Sequence, residues 1–379
     1  MEAYFDNSAT TIVTDSVKDI VVKTMTEDFG NPSAMHMVGV KAEKYIKEAQ
    51  ENIAKILKVD PKEIFFTSGG TESNNMAIIG TAMANKRKGN KIITTSVEHS
   101  SVLATMKYLE EQGFEVIYLP VDRYGIVQME ALEKEMTEDT ILVSTMYVNN
   151  EVGTVQPIEK IAEIIKSKNK NCIFHTDCVQ AFGKHPINGK HFDAISVSGH
   201  KIHCPKGVGV LYLRKGVRAK NLHFGGGQEK GFRPGTENTG SIVAMGLGAE
   251  IAKRDLEKNF EKVKAVKEKL MTICDILPDV YVNGDSENGS PYILNLSFEG
   301  VKGEVLLHAL ENYEIYVATG SACSSRAKEK KKIVDYLIDG RGSSTVRFSF
   351  DCENTVEEAE KVIEVLKEQV PMLRMFQPR

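Results

Sequence analysis

The stretch Ala194-Ile-Ser-Val-Ser-Gly-His-Lys201 is a short run with the character of a buried strand, and it stops abruptly at a lysine. The preceding run, Cys172-Ile-Phe-His-Thr-Asp177, stops in the same way at an aspartate. A lone lysine at a strand end is usually a solvated loop residue, and a lone aspartate is usually a turn or cap residue. Two consecutive strands with these ends instead deliver an amine and an acid to one sheet edge, where α/β sheets bind their ligands.

Short β-branched runs alternate with longer amphipathic segments between residues 60 and 215. The short runs predict strands at 92–96, 115–119, 141–146, 171–176, 194–198 and 208–213. The amphipathic segments predict helices at 102–112, 128–136 and 158–168. This alternation is typical of a layered α/β domain around a mainly parallel sheet flanked by helices.

A Gly-rich stretch at 225–240 predicts a long loop, which inside a compact domain is usually functional. After it, residues 241–274 predict one long helix rich in Lys and Glu. The remaining chain predicts strands at 292–297 and 345–350 and helices at 303–312 and 356–369, an α+β arrangement. We expect a large domain over residues 15–255 and a smaller one formed by residues 1–14 with 256–379.

The composition narrows the function classes. The chain has 379 residues, of which 41% are hydrophobic and 26% charged, so it can build a sizeable core. Because 48 Lys+Arg nearly balance 52 Asp+Glu, we expect no direct nucleic-acid or membrane-surface partner. Six cysteines without framework spacing suit reduced thiols, and no apolar run reaches the roughly 20 residues of a membrane helix. We expect a cytoplasmic protein.

The paired amine and acid are what a pyridoxal 5'-phosphate site requires. A lysine forms a Schiff base with this cofactor, and a carboxylate keeps its pyridine nitrogen protonated. The run Phe65-Phe-Thr-Ser-Gly-Gly-Thr71 predicts a strand, a Gly-Gly turn and a helix start, where backbone N–H groups bind phosphate. His99, Asn150 and Gln180 also follow predicted strands, so polar groups from five strand ends converge on one edge.

A zinc site is the rival interpretation for the histidines and cysteines near these strand ends. The candidate ligands are Cys172, His175, Cys178, His200, His203 and Cys204. Their number is sufficient for zinc. Their spacing argues against it, because Cys172 and His175 are three residues apart on one strand and point to opposite faces.

Cys323 differs from the other five cysteines in its surroundings. The segment Ala318-Thr-Gly-Ser-Ala-Cys-Ser-Ser-Arg326 consists mostly of small residues, which predict a mobile, accessible loop. The basic run at 326–332 follows, and adjacent cations favour the nucleophilic thiolate. The same run is equally well explained as a solvated helix start. We interpret Cys323 as a nucleophile, and Arg347, on a predicted buried strand, as a clamp for a substrate carboxylate.

From end to end, the sequence resembles the NifS/IscS-like cysteine desulfurases of the class V aminotransferase family, which are pyridoxal phosphate enzymes of fold type I. Members of this fold have a large domain with a mainly parallel seven-stranded sheet and a smaller α+β domain. The motifs that carry the resemblance are Tyr4-Phe-Asp-Asn-Ser-Ala-Thr-Thr11, Gly30-Asn-Pro-Ser33 with His36, Thr67-Ser-Gly-Gly-Thr-Glu-Ser73, Glu98-His99, Asn149-Asn-Glu151, His175-Thr-Asp177 with Gln180, Ser198-Gly-His-Lys201, Gly225-Gly-Gly-Gln-Glu229, Arg233-Pro-Gly-Thr-Glu237, Gly320-Ser-Ala-Cys323 and Arg347.

The resemblance implies a role for each matching residue around the cofactor. Lys201 forms the Schiff base and moves protons at the substrate Cα, and Asp177 pairs with the pyridine nitrogen. Gln180 contacts the ring hydroxyl, and His99 stacks on the ring. The residues that hold the phosphate are Gly70, Thr71, Ser198 and His200. Thr236 reaches the phosphate of the neighbouring subunit, so the resemblance also implies a homodimer.

The implied reaction converts L-cysteine to L-alanine and leaves the sulfur on Cys323 as a persulfide. Asn150 and Arg347, with Asn7 nearby, hold the substrate carboxylate. The sulfur then passes to an acceptor protein, either an iron–sulfur scaffold or a tRNA-thiolation enzyme. The chain departs from better-known members in the charge-rich stretch 324–343 and in Gln228, where many members have histidine. These departures leave the acceptor undecided.

Two rival functions remain open on the sequence alone. One is another class V reaction, such as transamination or selenocysteine lysis, which would use the cofactor residues without Cys323. The other is a cofactor-binding scaffold or activator with no activity of its own. The presence of Lys201, Asp177 and Cys323 argues against this second function.

Overall fold

The computed structural model describes residues 2–320, 333–337 and 341–375. The strands in these ranges are β1 (Ala3–Tyr4), β2 (Ile64–Thr67), β3 (Lys91–Thr95), β4 (Glu115–Leu119), β5 (Thr140–Met146), β6 (Ile173–Asp177), β7 (Ala194–Ser198), β8 (Gly209–Leu213), β9 (Val280–Asn283), β10 (Ile293–Phe298), β11 (Ile315–Tyr316) and β12 (Thr345–Ser349). The helices are α1 (Asp15–Thr26), α2 (Met37–Leu57), α3 (Gly70–Asn85), α4 (Ser100–Glu111), α5 (Met129–Glu135), α6 (Ile158–Lys168), α7 (Thr239–Arg254), α8 (Leu256–Met271), α9 (Ile273–Ile276), α10 (Gly303–Glu311), α11 (Ile333–Leu337) and α12 (Val356–Met375).

The largest sheet has seven strands in the order β2-β8-β7-β6-β5-β3-β4. Strand β8 runs antiparallel to both of its neighbours, and the remaining pairs are parallel. Every residue of β5, β6, β7 and β8 is buried, as in strands that are covered on both faces. The predicted α/β architecture with a mainly parallel sheet is confirmed.

The predicted elements of the large sheet match the structure closely. The strands predicted at 115–119 and 194–198 and the helix predicted at 158–168 have the bounds of β4, β7 and α6, and the others differ by one or two residues at an end. The prediction of one helix over 241–274 was wrong, because the helical backbone is interrupted at Asp255. Helix α7 packs on α1 and α2, whereas α8 packs on α12, so the chain must change direction between them.

The loop predicted at 225–240 is present, and α7 begins two residues before its predicted end, at Thr239. Between Gln228 and Gly231 the chain turns tightly, with positive φ angles at Glu229 and Lys230. Arg233 in this segment pairs with Glu72 on α3, with 3.0 Å between Nε and Oε1. The Gly-rich segment is therefore tied to the helix that begins beside the end of β2.

The C-terminal part of the chain forms a second, antiparallel sheet in the order β12-β10-β9. Strand β1 pairs in parallel with β11, so the N-terminus joins this part of the molecule. From β1 the chain crosses to the large sheet, where the Thr11 N–H donates a 2.9 Å bond to the His200 carbonyl. This crossing places Ser8 and Ala9 over the carboxyl ends of β6 and β7. None of the helices in the described ranges combines the length and apolarity that a membrane crossing needs.

Candidate active site

A cavity of about 180 Å³ opens at the carboxyl edge of the large sheet, between it and the N-terminal crossing segment. Residues from several strand ends, helix starts and β12 converge on it. Its lining consists of Ser8, Ala9, Gly70, Thr71, Asn74, His99, Ser101, Met146, Val148, Asn150, Asp177, Val179, Gln180, Ser198, His200, Lys201 and Arg347. The cavity lies where an open α/β sheet is expected to bind its ligand.

Lys201 and Asp177 reach this cavity from neighbouring strands. Lys201 ends the 3₁₀ turn that follows β7, and its Nζ donates to the carbonyl oxygens of Ser8, at 2.5 Å, and Ala9, at 2.7 Å. Asp177 is the last residue of β6. Its Oδ2 accepts a 2.8 Å bond from Asn74 Nδ2, and its Oδ1 accepts a 2.9 Å bond from the Val179 N–H. The parallel pairing of β6 and β7 thus brings the amine and the acid to the same edge.

The first residues of α3 form an anion-binding cradle, which we call the phosphate cup and define as Gly69, Gly70 and Thr71. Gly69 has φ +155°, a conformation that favours glycine, and a Cβ on Gly70 would lie 2.7 Å from Val179 Cγ2. The free N–H groups of this helix start and its dipole favour a bound anion. Ser198 lines the same end of the cavity, so backbone and hydroxyl donors meet there.

The two histidines of the cavity are held in the neutral state by burial. His99 is the N-cap of α4: its Nδ1 accepts from the Ser101 N–H at 3.2 Å and lies 2.8 Å from Ser101 Oγ. Burial lowers the pKa of His99 below its ordinary value. Burial also lowers the pKa of His200 to about 4, and its Nδ1 lies 3.3 Å from Thr10 Oγ1. At neutral pH both rings are uncharged and available for stacking or hydrogen bonding.

Arg347 reaches the cavity from the smaller, three-stranded sheet. It lies on β12 and is only 1% exposed. Its Nη1 donates to the Asn150 carbonyl at 2.9 Å, and its Nη2 donates to Asp6 Oδ1 at 2.7 Å. In the described part of the chain, Arg347 Nε and Asn150 Oδ1 are buried without a hydrogen-bond partner. Unsatisfied buried polar atoms are costly, so a polar ligand here would stabilise the site.

Most of the predicted site residues line this one cavity. They are Gly70, Thr71, His99, Asn150, Asp177, Gln180, Ser198, His200, Lys201 and Arg347. Asn7 does not line it; its Nδ2 donates to the Ser349 carbonyl at 3.2 Å and to Asn354 Oδ1 at 3.1 Å, and its Oδ1 is buried without a partner among the described residues. Thr236 is exposed and lies outside the cavity. Cys323 and the basic run at 326–332 lie outside the described residues.

Seven lining residues were not assigned a role from the sequence, and the polar ones among them are Ser8, Asn74 and Ser101. Asn74 Nδ2 donates to both Asp177 Oδ2 and Ser101 Oγ, at 2.8 and 2.9 Å, so it joins α3, β6 and α4. The available signal was its position four residues after Gly70, which places it on the same helix face as the phosphate cup. The Ser8 carbonyl accepts from Gln180 and Lys201, and a backbone contact of this kind has no side-chain signature.

The residues of the zinc interpretation are used in other ways. His175 is fully buried between Ser144 Oγ, at 2.8 Å from Nδ1, and Ser196 Oγ, at 2.9 Å from Nε2. Burial lowers the pKa of His175 to about 3. Within residues 2–320, 333–337 and 341–375, no three His, Cys, Asp or Glu side chains are grouped so as to hold a metal ion.

Known proteins resemble this chain over nearly its whole length. Residues 3–362 match the family described as aminotransferase class-V. A protein of Clostridium botulinum named cysteine desulfurase IscS is 41% identical, with 100% of this chain and 96% of the relative covered. A solved structure named NIFS-like protein has a TM-score of 0.92 at 40% identity, covering 98% of this chain and 100% of that one. Another, named SspA in complex with cysteine, has a TM-score of 0.81 at 32% identity, covering 92% and 98%.

Proposed function

The chain belongs to the class V aminotransferase family, among its NifS/IscS-like cysteine desulfurases, and we propose that it converts L-cysteine to L-alanine with pyridoxal phosphate and passes the sulfur to Cys323. The observation that carries this proposal is the meeting of Lys201, Asp177 and Arg347 on one cavity. An amine, an acid and a carboxylate-binding arginine are the groups that such a reaction on an amino acid requires.

The described residues fit this cofactor. The phosphate cup has no side chain at Gly69 or Gly70 and presents helix N–H groups, so it suits the phosphate. Asn74 donates to the Asp177 carboxylate and holds it in place at the cavity. The neutral His99 ring lies on the same lining. These features are consistent with a ligand whose phosphate binds at the phosphate cup and whose ring lies against Asp177 and His99.

Each contact residue has a proposed role toward the cofactor. Lys201 would hold it covalently through Nζ, and Asp177 would keep its ring nitrogen protonated. Gln180 would donate to the ring hydroxyl, and the His99 ring would stack on the cofactor ring. Gly70, Thr71, Ser198 and His200 would surround its phosphate. When bound, pyridoxal phosphate supplies an electron sink for the electron pair at the substrate Cα.

The chain's own side chains orient the substrate and move its protons. Arg347 would bind the substrate carboxylate through its guanidinium, whose Nε has no partner among the described residues, and Asn150 would add its amide. The Lys201 amine, once displaced by the amino group of cysteine, would take the proton from the substrate Cα. In the structure the carbonyls of Ser8 and Ala9 hold this amine, and they are placed to stabilise its protonated form. Asn7 stays a predicted neighbour of the substrate carboxylate: its Nδ2 is bonded within the protein, and its Oδ1 is buried without a partner among the described residues.

Sulfur transfer is assigned to Cys323, on the strength of the sequence motif Gly320-Ser-Ala-Cys323. Its thiolate would attack the substrate sulfur. A sulfur–sulfur bond forms as the Cβ–S bond breaks, the bonding pair remains with Cβ, and protonation there gives the methyl group of alanine. The net reaction joins L-cysteine and the Cys323 thiol to give L-alanine and the Cys323 persulfide. A thiol or an acceptor protein then removes the outer sulfur.

A homodimer is part of the proposal. Thr236 is exposed on the segment that Arg233 ties to α3, so it is available to a neighbouring subunit's phosphate cup. Nine of the eighteen exposed large apolar or aromatic side chains of the described residues fall within residues 12–40. They include Met35 at 99% and Met37 at 80% exposure. So much exposed apolar surface in one stretch is typical of a protein interface.

The sulfur acceptor is proposed to be an iron–sulfur scaffold protein or a tRNA-thiolation enzyme. Both take sulfane sulfur from a persulfide, so the chemistry at Cys323 is the same for either. A reducing compartment such as the cytoplasm is also proposed, because a persulfide carrier must be returned to the thiol. Transfer of labelled sulfur from the loaded enzyme to each purified acceptor class would decide between them.

The activity is tested by incubating the protein with pyridoxal phosphate, L-cysteine and a thiol reductant. We expect alanine and sulfide in equal amounts, and we expect Lys201→Ala to yield neither. Cys323→Ala should bind the cofactor and produce no sulfide, whereas Cys274→Ala, which alters a half-buried thiol, should behave as wild type. Full turnover by Cys323→Ala would favour another class V reaction. A wild-type protein that never takes up the cofactor would favour a scaffold.

A further inference from the structure

Lys184 is a buried cation behind the candidate active site. It follows β6 in the turn that also carries Gln180, and only 5% of it is exposed. Its Nζ donates to Gln180 Oε1 at 3.4 Å and lies 5.5 Å from the centroid of the Tyr292 ring. Lys184 lines a second cavity, which adjoins the first at Lys201, whereas Gln180 lines the first. Lys184 therefore contacts Gln180, which lines the first cavity, but does not line that cavity itself.

Two neighbours of Gln180 determine the orientation of its side-chain amide, that is, the positions of Oε1 and Nε2. The ammonium of Lys184 can only donate, so the oxygen Oε1 must lie toward it. On the other side, the Ser8 carbonyl can only accept, and Gln180 Nε2 donates to it at 3.1 Å. Both contacts select the same orientation, with the N–H donors of Gln180 on the side of the first cavity.

The charge of Lys184 is only partly compensated. Burial lowers its pKa to about 8, and Asp351 acts in the opposite direction. The other titratable groups that face it are Cys352 after β12, Arg347 on β12, Tyr292 before β10, His200 after β7, and His185 in its own turn. At neutral pH the two histidines and the Cys352 thiol are uncharged, and Arg347 is itself paired with Asp6 at 2.7 Å. The ammonium of Lys184 is therefore the charge that lies directly behind Gln180, with Asp351 as the acid that favours it.

We propose that Lys184 is a positioning residue, whose buried ammonium keeps the Gln180 amide nitrogen turned toward the cofactor's ring hydroxyl and maintains a positive charge behind it. This inference rests on the proposed function, because it requires pyridoxal phosphate in the first cavity. The positive charge disfavours protonation of the bound cofactor. Removing it should move the pH at which the cofactor's visible absorbance changes to a higher value.

The test compares two variants of Lys184 with a matched control. Lys184→Met removes both the charge and the hydrogen bond, whereas Lys184→Gln removes the charge and keeps an N–H donor. The control is Lys267→Met: Lys267 is also buried, burial also lowers its pKa to about 8, and its Nζ donates to the Ser290 carbonyl at 3.0 Å, outside the cofactor cavity. The readouts are the pH titration of cofactor absorbance and the cofactor dissociation constant of the full-length holoenzyme.

We expect the titration midpoint to rise by about one pH unit in both Lys184 variants, as for loss of a nearby charge. Cofactor binding should weaken about tenfold in Lys184→Met and much less in Lys184→Gln. Lys267→Met should titrate like wild type. Midpoints unchanged in Lys184→Gln, or shifted equally in Lys267→Met, would overturn the inference. If Lys184→Met fails to fold, Lys184→Gln decides the question. A wild type without cofactor absorbance would instead refute the proposed function.

Discussion

Asn74 Nδ2 donates a 2.8 Å hydrogen bond to Asp177 Oδ2, and so links the helix of the phosphate cup to the acid at the end of β6. The same nitrogen donates to Ser101 Oγ at 2.9 Å, next to the N-cap His99. One buried amide therefore holds the proposed phosphate, ring-nitrogen and ring-stacking groups in a fixed mutual arrangement.

Replacing Asn74 by Ala should lower kcat roughly 10- to 100-fold, because a hydrogen bond to a charged group contributes about 1.5 to 3 kcal/mol. Asp177→Asn should have a larger effect. The control is Asn85→Ala on the same helix, since Asn85 is also buried but donates only to the Thr81 and Arg218 carbonyls. Steady-state alanine production measures the effect. Equal losses in Asn74→Ala and Asn85→Ala would mean that Asn74 serves only the stability of α3.

Arg347→Lys should raise KM for L-cysteine roughly 10- to 100-fold and change kcat less, because lysine keeps the charge and loses the bidentate fork. Arg341→Lys is the matched control, since Arg341 pairs with Glu299 at 3.1 Å and stacks on Tyr281, away from the cavity. The two parameters are separated by initial rates over a range of cysteine concentrations. An unchanged KM in Arg347→Lys would exclude Arg347 from substrate binding.

Glu98 should make stability depend on pH. It is fully buried, its Oε1 accepts from Thr95 Oγ1 at 2.7 Å and from the Met146 N–H at 2.9 Å, and burial raises its pKa from 4.5 to about 8. Between these pH values the folded state holds a proton that the unfolded state has lost. The free energy of unfolding therefore falls as the pH rises through this window, and the fall ends near the folded-state pKa.

Glu98→Gln removes this dependence, because an amide is uncharged at every pH and its oxygen can accept the same two bonds. The difference in free energy of unfolding between the variant and wild type should therefore shift in favour of the variant as the pH rises through this window. The total shift should be on the order of a few kcal/mol. Urea unfolding at several pH values measures the difference. Parallel stability profiles for the two proteins would show that Glu98 is ionised in the folded state at neutral pH.

The proposed dimer predicts a monomeric variant. Met25→Glu with Met37→Glu places two carboxylates in the exposed apolar stretch of residues 12–40, and burying charges in an interface is costly. We expect light scattering to give a mass near 42.0 kDa for this variant and twice that for wild type. Its cofactor binding should weaken, since Thr236 would no longer reach a second phosphate cup.

Val305→Glu serves as the control, because Val305 is 46% exposed on α10, outside the apolar stretch. It should keep the wild-type mass and cofactor affinity. If the Met25 and Met37 variant remains a dimer, the interface lies elsewhere. If it becomes a monomer with unchanged cofactor affinity, Thr236 has no part in the neighbouring site.

Much of the site was predictable because local rules determine it. The runs that end at Asp177 and Lys201 predict two strands, and in a parallel sheet their carboxyl ends must share an edge. The Gly-Gly turn before α3 predicts an anion-binding helix start. Arg347 was predicted to face inward from the pattern of its strand, and it is 1% exposed.

Other features follow from contacts between distant segments. The interruption at Asp255 exists because α7 and α8 pack on different partners, which their continuous helical pattern does not reveal. Asn7 belongs to a motif of the family, yet its amide is taken by Ser349 and Asn354, which are more than 340 positions away in the chain. No local signal predicts such a pairing.

The sequence by itself determined the fold class, the family and the chemical groups of the site, because strand periodicity, turn glycines and reactive side chains are local properties. Only the tertiary structure decided how these groups are held. It placed the Ser8 carbonyl between Lys201 and Gln180, Asn74 against Asp177, and a buried ammonium at Lys184. The physical reason is that hydrogen-bond geometry and the pKa of a buried group depend on neighbours brought together by packing, whatever their separation along the chain.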